Sequence, residues 1–323
     1  MPRFLTLLLL LTVTLTAAPE WAFLRTVDGK QFEGQIRTKA VRVVADGKPL
    51  ELPLGQILSL HSGAAASPFE AAKIKEGIAA IVGADRRSRD LAVEELTAIG
   101  IPVMTPLLTS LKDTDQHEPR PLYRLFERIM PSYADGFDRD LSLVRMATGP
   151  ARRVQISEGN LSLLASDGTK VDMPWSKVRS LAVRRKQVQR SAEVHSIRHC
   201  LQIDYLDTGI VLTKTSKLNT DARGFVRLSW DADGWASDAN GLTKPGSDAY
   251  KTNLVNGHPF GALVGRTGAA GNVFFLGKHA DKALSEPGRL NLAINDNGHW
   301  QNNLGTFRVS LTATDAYDMG DAQ

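Results

Sequence analysis

The chain has 323 residues, 42% of them hydrophobic and 23% charged, with a formal net charge of +4. That balance excludes a disordered polymer and supports roughly two or three packed domains. Basic residues are spread along the chain, with one dense group at Arg184, Arg185, Lys186 and Arg190, so no nucleic-acid partner is implied; a single cysteine, Cys200, excludes an intramolecular disulfide.

The N-terminus reads as a Sec-type signal peptide over residues 1–18. Arg3 precedes an uncharged run from Phe4 to Leu15, and Thr16, Ala17 and Ala18 supply the small residues a signal peptidase needs. The run is shorter than the ~20 apolar residues that span a bilayer, and no later segment replaces it. The expectation is a secreted or periplasmic mature chain with no membrane span.

From Trp21 to Leu60, short apolar alternations broken by Asp-Gly pairs predict strands joined by tight turns. The pattern returns after Val154: Asp46-Gly47 matches Asp167-Gly168, Pro53 matches Pro174, and Ser59-Leu60 matches Ser180-Leu181. Upstream, Gln35-Ile36 matches Gln155-Ile156. Two small β units are therefore expected, at 19–64 and 141–186, and each resembles the SH3-like or Sm-like small barrels. Two ordinary hairpins packed on neighbouring helices are the alternative.

Between them, residues 65–140 carry helical periodicity. Leu91, Leu96, Ile99, Val103, Leu107 and Leu111 recur at three- and four-residue steps, and Gly100 and Pro102 divide two helices. Further helices are expected near Phe69–Val82 and Pro121–Met130. With Ile99, Gly100 and Pro106 in place the segment resembles a HEAT-like helical pair, which implies a surface for an envelope protein partner. Arg184 to His199 is polar and charged and reads as a linker, bounded at 187–199.

From Cys200, β-branched alternation with Gly, Asn and Asp at the turns predicts an antiparallel β-sandwich over 200–314, followed by a tail at 315–323. Four pieces carry a more specific likeness: Asp207-Thr208-Gly209-Ile210, Asp233-Gly234-Trp235-Ala236-Ser237, Phe260-Gly261-Ala262-Leu263-Val264, and Ile294-Asn295-Asp296 followed by Asn302-Asn303 and Gly305. In this order they resemble the calcium-dependent galactose-binding lectins of bacteria, of the PA-IL type. The whole chain is thus expected to be multidomain and mostly β, with two small β units flanking a HEAT-like segment and a galactose-binding-like sandwich at the end.

The residues alone suit Ca²⁺: Asp296 offers a hard carboxylate, and Asn302 and Asn303 offer amide oxygens. The resemblance implies that these three side chains hold the ion, with backbone carbonyls at Asp238 and near His299 or Trp300 completing the shell, and that the ion takes hydroxyls of a glycan or polysaccharide. Trp300 is expected to offer an aromatic face to the sugar's C–H groups with His299 next to it, and Tyr250 and Asn253 are the nearest matches to the lectin's sugar-contacting loop. This sequence departs from the family in shorter loops at both places and in Asp238, where the lectins carry an aromatic residue. The competing reading of Asp296, Asn302 and Asn303 is a hairpin turn, since Asn and Asp bond their own backbone there.

Other chemistry is thin. His195 and His199 have a helical metal spacing in a segment that does not read as a helix. Asp231 and Asp233 begin a calcium-loop pattern that lacks its Glu. No nucleophile elbow, phosphate loop or zinc-protease helix occurs, so no enzyme activity is expected. The sequence therefore favours a secreted calcium-dependent carbohydrate-binding protein with N-terminal interaction modules. The alternatives are a non-catalytic envelope scaffold whose sandwich has lost its sugar, and an exported hydrolase carrying the sandwich as an accessory module.

Overall fold

The computed structural model describes residues 20–83, 85–113, 120–129, 141–201, 204–228, 236–242, 257–296 and 303–320. The protein is mostly β, and its first body is built from two copies of one strand pattern. The first copy comprises β1 (Trp21–Thr26), β2 (Gln31–Ile36), β3 (Ala40–Ala45), β4 (Lys48–Pro53), a 3-10 turn at Leu54–Gln56, and β5 (Ile57–His61). The second repeats it as β6 (Ser142–Met146), β7 (Arg152–Ile156), β8 (Asn160–Ala165), β9 (Lys170–Pro174), a 3-10 turn at Trp175–Lys177, and β10 (Val178–His195).

The same Asp-Gly pair makes two different turns. Asp46 and Gly47 both have positive φ, 50° and 74°, which is the two-residue hairpin that matches strand twist. In the second copy Gly168 alone is left-handed, at φ 85°, closing a longer loop in which the Asp167 carboxylate accepts from the Thr169 N–H.

The two copies do not fold as separate units. β1 pairs with β2, β2 with β8 and β8 with β9, while β1's other edge takes β10. One curled sheet thus uses the first two strands of copy one and the last three of copy two. The reciprocal sheet runs β4–β3–β7–β6–β5. β5 and β10 then pair across the join with Leu60 opposite Leu181, the residues that match in the repeat, so a pseudo-twofold axis passes between them. Leu24, Val43, Leu60, Val154, Leu163 and Leu181 meet in one core drawn from both copies. The boundaries 19–64 and 141–186 therefore mark sequence repeats whose halves are exchanged, because each half-sheet leaves edges and an apolar face that only the other copy covers.

Among the described residues, the insertion holds four helices: α1 (Pro68–Gly83), α2 (Arg86–Ile99), α3 (Met104–Asp113) and α4 (Arg120–Ile129). α1 begins with a capping box. Ser67 Oγ accepts from the Glu70 N–H, Glu70 Oε2 accepts from the Ser67 N–H at 2.9 Å, and Pro68 sits at the first helical position. Asp85 caps α2 by accepting from the N–H groups of Arg87 and Ser88. Gly100, at φ 74°, stops α2 and redirects the chain through a 3-10 turn. Ile74, Ile81, Leu96, Val103, Leu107 and Leu125 form their common core.

The region read as a linker at 187–199 is corrected. β10 continues unbroken to His195, leaving β1 at Val183 and pairing with the last strand from Arg184 onward. Val188, Ala192 and Val194 point into the sandwich while Gln187, Gln189, Ser191 and Glu193 face out. Small apolar residues set among charged ones masked this two-residue period.

The sandwich adds β11 (Leu206–Leu212), β12 (Lys217–Arg227), β13 (Ala236–Ser237), β14 (Leu263–Thr267), β15 (Val273–Phe275), β16 (His279–Ala283), β17 (Gly288–Ile294) and β18 (Leu304–Asp318). One sheet runs β10–β18–β12–β16 and the other β11–β17–β14–β15, with β11 also touching the far end of β18. Leu218, Leu263, Leu292, Phe307, Val309 and Leu311 fill the space between. The Asp207-Thr208-Gly209 piece is a bulge in β11. Gly209, at φ 72°, lets the backbone pass Gly320, and the Asp207 carboxylate takes Arg289 at 2.8 Å.

Candidate functional site

Asp296 and Asn303 stand at the two ends of one loop, the first just after β17 and the second just before β18. Both are 1% exposed. Asn303 Nδ2 donates to Asp296 Oδ2 at 2.5 Å and to the Ser196 carbonyl at 3.1 Å, so two acceptors on different elements fix which way the amide faces. Its oxygen, Oδ1, is buried without a hydrogen-bond partner among the described residues. Asn295, next to Asp296, repeats the arrangement. Its Nδ2 donates to the His258 and Pro259 carbonyls at 3.1 Å each, and its Oδ1 is buried without a partner among the described residues.

This corner of the sandwich is locked by backbone bonds. The Gly261 N–H donates to the Asn295 carbonyl, the Asn295 N–H to Ala262 and the Leu263 N–H to Ala239, which draws the segment at 237–239 against 259–263 and 294–296. Gly261 has φ 81° and lies against Leu228 and Ser237, where a β-carbon would come within 2.7 Å of Leu228. Ser196 joins from the end of β10 by donating its hydroxyl to the Gly305 carbonyl at 3.0 Å.

Asp238 is oriented differently from Asp296. Its carboxylate meets Lys278 Nζ at 2.6 Å and accepts from the Asn240 N–H at 2.8 Å, and the Lys278 ammonium holds the carboxyl below its ordinary range. Its carbonyl accepts the Ser237 hydroxyl at 2.7 Å and the Gly241 N–H. Asn302, His299, Trp300, Tyr250 and Asn253 lie outside the described residues. Of the expected ligands, the structure therefore brings Asp296 and Asn303 together and ties Asp238 to Lys278.

An orphaned carbonyl oxygen in a dry site costs about 1–3 kcal/mol. The orphaned Asn303 oxygen belongs to the amide that meets the buried Asp296 carboxylate, and carboxylate and amide oxygens are the donor types that a hard cation takes. Among the described residues no three His, Cys, Asp or Glu side chains gather as a cation site, so any cation here relies on amide and backbone oxygens beside the single carboxylate. Asn295 was not singled out from sequence, although it lies inside the Ile294-Asn295-Asp296 piece. Ser196 and Lys278 had no signal, because their roles depend on strand pairing far from the motif.

The histidines at 195 and 199 do not form a metal pair of their own. His199 Nδ1 accepts the His195 N–H at 3.0 Å, and His195 Nδ1 meets Thr306 Oγ1 at 3.0 Å.

No family model and no curated protein matches the sequence. Among solved structures the chain is similar to the N-terminal domain of EclA, described as a PllA-like lectin. The identity is 18%, over 39% of this chain and 96% of that one, with a TM-score of 0.27. What the site can bind is therefore decided by its own side chains.

Proposed function

We propose that the protein is a secreted or periplasmic carbohydrate-binding protein whose sandwich takes a glycan through a calcium ion at the β17–β18 corner. The observation that carries this reading is the buried Asn303 amide oxygen, without a hydrogen-bond partner among the described residues, on the same side chain that meets the buried Asp296 carboxylate. Asp296 and Asn303 would hold the ion, with Asn302 completing the side-chain set. With one carboxylate, the ion keeps net positive charge and polarises incoming hydroxyls, and its affinity falls in the range of about 10⁻⁴ to 10⁻³ M typical of extracellular modules.

Calorimetric titration of the full chain with Ca²⁺ tests the proposal. Saturable heat at millimolar Ca²⁺, lost in Asp296→Asn and Asn303→Leu variants that keep the wild-type circular dichroism, is the expected result. Glycan-array binding that is unchanged by EDTA would overturn it.

A second reading, a non-catalytic scaffold, is favoured by one specific feature. The Asn303 amide already donates to Asp296, and Lys278 already neutralises Asp238, so part of the acceptor set is satisfied internally. It expects no calcium heat and a stable protein partner recovered by cross-linking.

A further inference from the structure

The sheet β10–β18–β12–β16 turns one face into the sandwich core and the other to solvent. Along β18, Phe307, Val309, Leu311 and Ala313 belong to the core, and the positions that alternate with them lie on the outer face. The end of that face next to the β17–β18 corner is apolar. Phe225 is 65% exposed, Leu304 51% and Ile197 41%, so three of the seven large hydrophobic side chains exposed among the described residues gather at one spot. Phe225 lies opposite Thr306 and Arg227 opposite Leu304, while the Ser196 N–H donates to the Gly305 carbonyl and brings Ile197 beside Leu304.

The next row of the face is charged. Arg308 stands between Glu193 of β10 and Arg223 of β12; the Glu193 carboxylate takes Arg308 Nε at 3.2 Å, and Arg223 takes Asp221 at 3.3 Å. Beyond it come short or uncharged side chains, Ser191, Ser310, Gln189, Thr312 and Asn219, which leave the surface flat.

We infer that this face seats a second copy of the chain, sheet against sheet, about a twofold axis running along β18. Rotation about that axis lays β12 of one copy over β10 of the other. Leu304 then meets the second copy's Leu304, Phe225 lies over the second copy's His195, and Arg223 faces the second copy's Glu193, the last two contacts being made twice. A twofold axis set across the strands at Thr306 instead puts Arg227 against the second copy's Arg223 and Ile197 against its Glu193, pairing like charge with like and hydrocarbon with charge. Aligned packing is one of the two ordinary ways in which sheets meet face to face, and an exposed aromatic side chain among arginines has the composition that interface centres favour. From Leu304 to Thr314 the strand runs about 35 Å, and the four strands are about 15 Å across, so each copy covers on the order of 500 Å². Two such faces reach the ~1,000 Å² at which specific interfaces begin, which sets the dissociation constant in the micromolar range, about 1–100 μM. With the axis along β18, both copies carry the β17–β18 corner at the same end. On the glycan reading proposed above, the pair is bivalent toward one surface; the pairing itself needs no calcium.

Sedimentation equilibrium of the full chain in EDTA, from about 1 to 200 μM, tests the inference. A reversible monomer–dimer equilibrium is the expected result. Phe225→Asp, at a position exposed enough to leave the fold intact, should weaken it about ten-fold or more. Glu193→Arg and Arg223→Glu should each weaken it as well, and an equimolar mixture of these two variants should recover it, because both facing pairs in the mixed dimer again join opposite charges. A failed calcium titration leaves these outcomes untouched. A chain that stays monomeric at about 200 μM, a dimer unmoved by Phe225→Asp, or a mixture no more dimeric than its two components would each overturn the inference.

Discussion

Arg179 and Glu70 form the most deeply buried ion pair among the described residues, each side chain being 1% exposed. Arg179, on β10, presents Nε and Nη2 to the two carboxylate oxygens at 2.6 Å each, and its remaining donors reach the carbonyls of Ser62, Ala64 and Ala65 at 2.8–3.1 Å. The carboxylate also completes the capping box of α1, so one guanidinium fastens the first helix and the segment before it to the pseudo-twofold strand. Replacing Arg179 by Met preserves most of the volume but strands a charged carboxylate and three carbonyls. Breaking such a pair from one side costs about 3–5 kcal/mol, against near neutrality when both partners become apolar. Urea unfolding followed by circular dichroism should place Arg179→Met at that cost. Glu70→Leu should fall in the same range, and the double variant should lose far less than the sum of the two. If Arg179→Met unfolds within 1 kcal/mol of the wild type, or the double variant loses as much as both singles together, the pair does not hold the helices in place.

Three further outcomes follow from the architecture. Burial drives His61 down from an ordinary 6.5 to about 4, with its Nε2 3.2 Å from the Met319 carbonyl and the guanidinium groups of Arg289, Arg145 and Arg179 opposing its charge. The unfolded chain therefore binds the proton first. Stability is complete above pH 6.5 and falls as pH drops toward 4, by at most about 3 kcal/mol and by about half that given the ring's partial contact with solvent. Chemical denaturation across this window should show the slope, and His61→Gln should flatten it. Gly34 lies where β2 crosses β8, with space so tight that an added β-carbon would fall 2.2 Å from the Leu164 carbonyl oxygen. Gly34→Ala should cost about 1–3 kcal/mol in the same measurement. Because the copies exchange halves, residues 20–129 expressed alone should show no cooperative unfolding, and co-expression with residues 141–323 should restore a complex that purifies together. A folded, monomeric 20–129 fragment would contradict the exchange.

The hairpins were legible because Asp-Gly turns and β-branched alternation are local signals, and the helix boundaries were legible at Gly100 and Pro102 for the same reason. The exchange was not, since β2 meets β8 through the same alternation that would serve a partner within its own copy, and nothing local distinguishes the two pairings. β10 was misread for a related cause. Its inward residues beyond the barrel are Val188, Ala192 and Val194, small enough that Arg184, Arg185, Lys186 and Arg190 dominate the composition. At the candidate site, the pairing of Asp296 with Asn303 could be anticipated from their placement at either end of one loop. The orphaned oxygen on Asn295 could not, because whether a buried amide is satisfied depends on which carbonyls the fold brings to its other end.

One strand links the proposed calcium corner to the far end of the sandwich. β18 begins one residue after Asn303 and ends at Asp318, a span of about 50 Å for an extended segment of this length. It is hydrogen-bonded along that span to β10 on one side and β12 on the other, from Thr306 opposite His195 to Tyr317 opposite Arg184 and from Leu304 opposite Arg227 to Thr314 opposite Lys217. A doubly paired strand has no second register open to it, since a one-residue slip would turn Phe307, Val309, Leu311 and Ala313 out of the core. Coupling between distant sites needs an element with two arrangements, and β18 supplies none. Saturating Ca²⁺ should therefore leave hydrogen exchange of the Thr312 to Tyr317 amides unchanged within about two-fold while it slows exchange next to Asn303. A larger change at the far end would show that the corner at Asn303 moves the strand as a whole, and that the ladder joining β18 to β10 and β12 is not rigid.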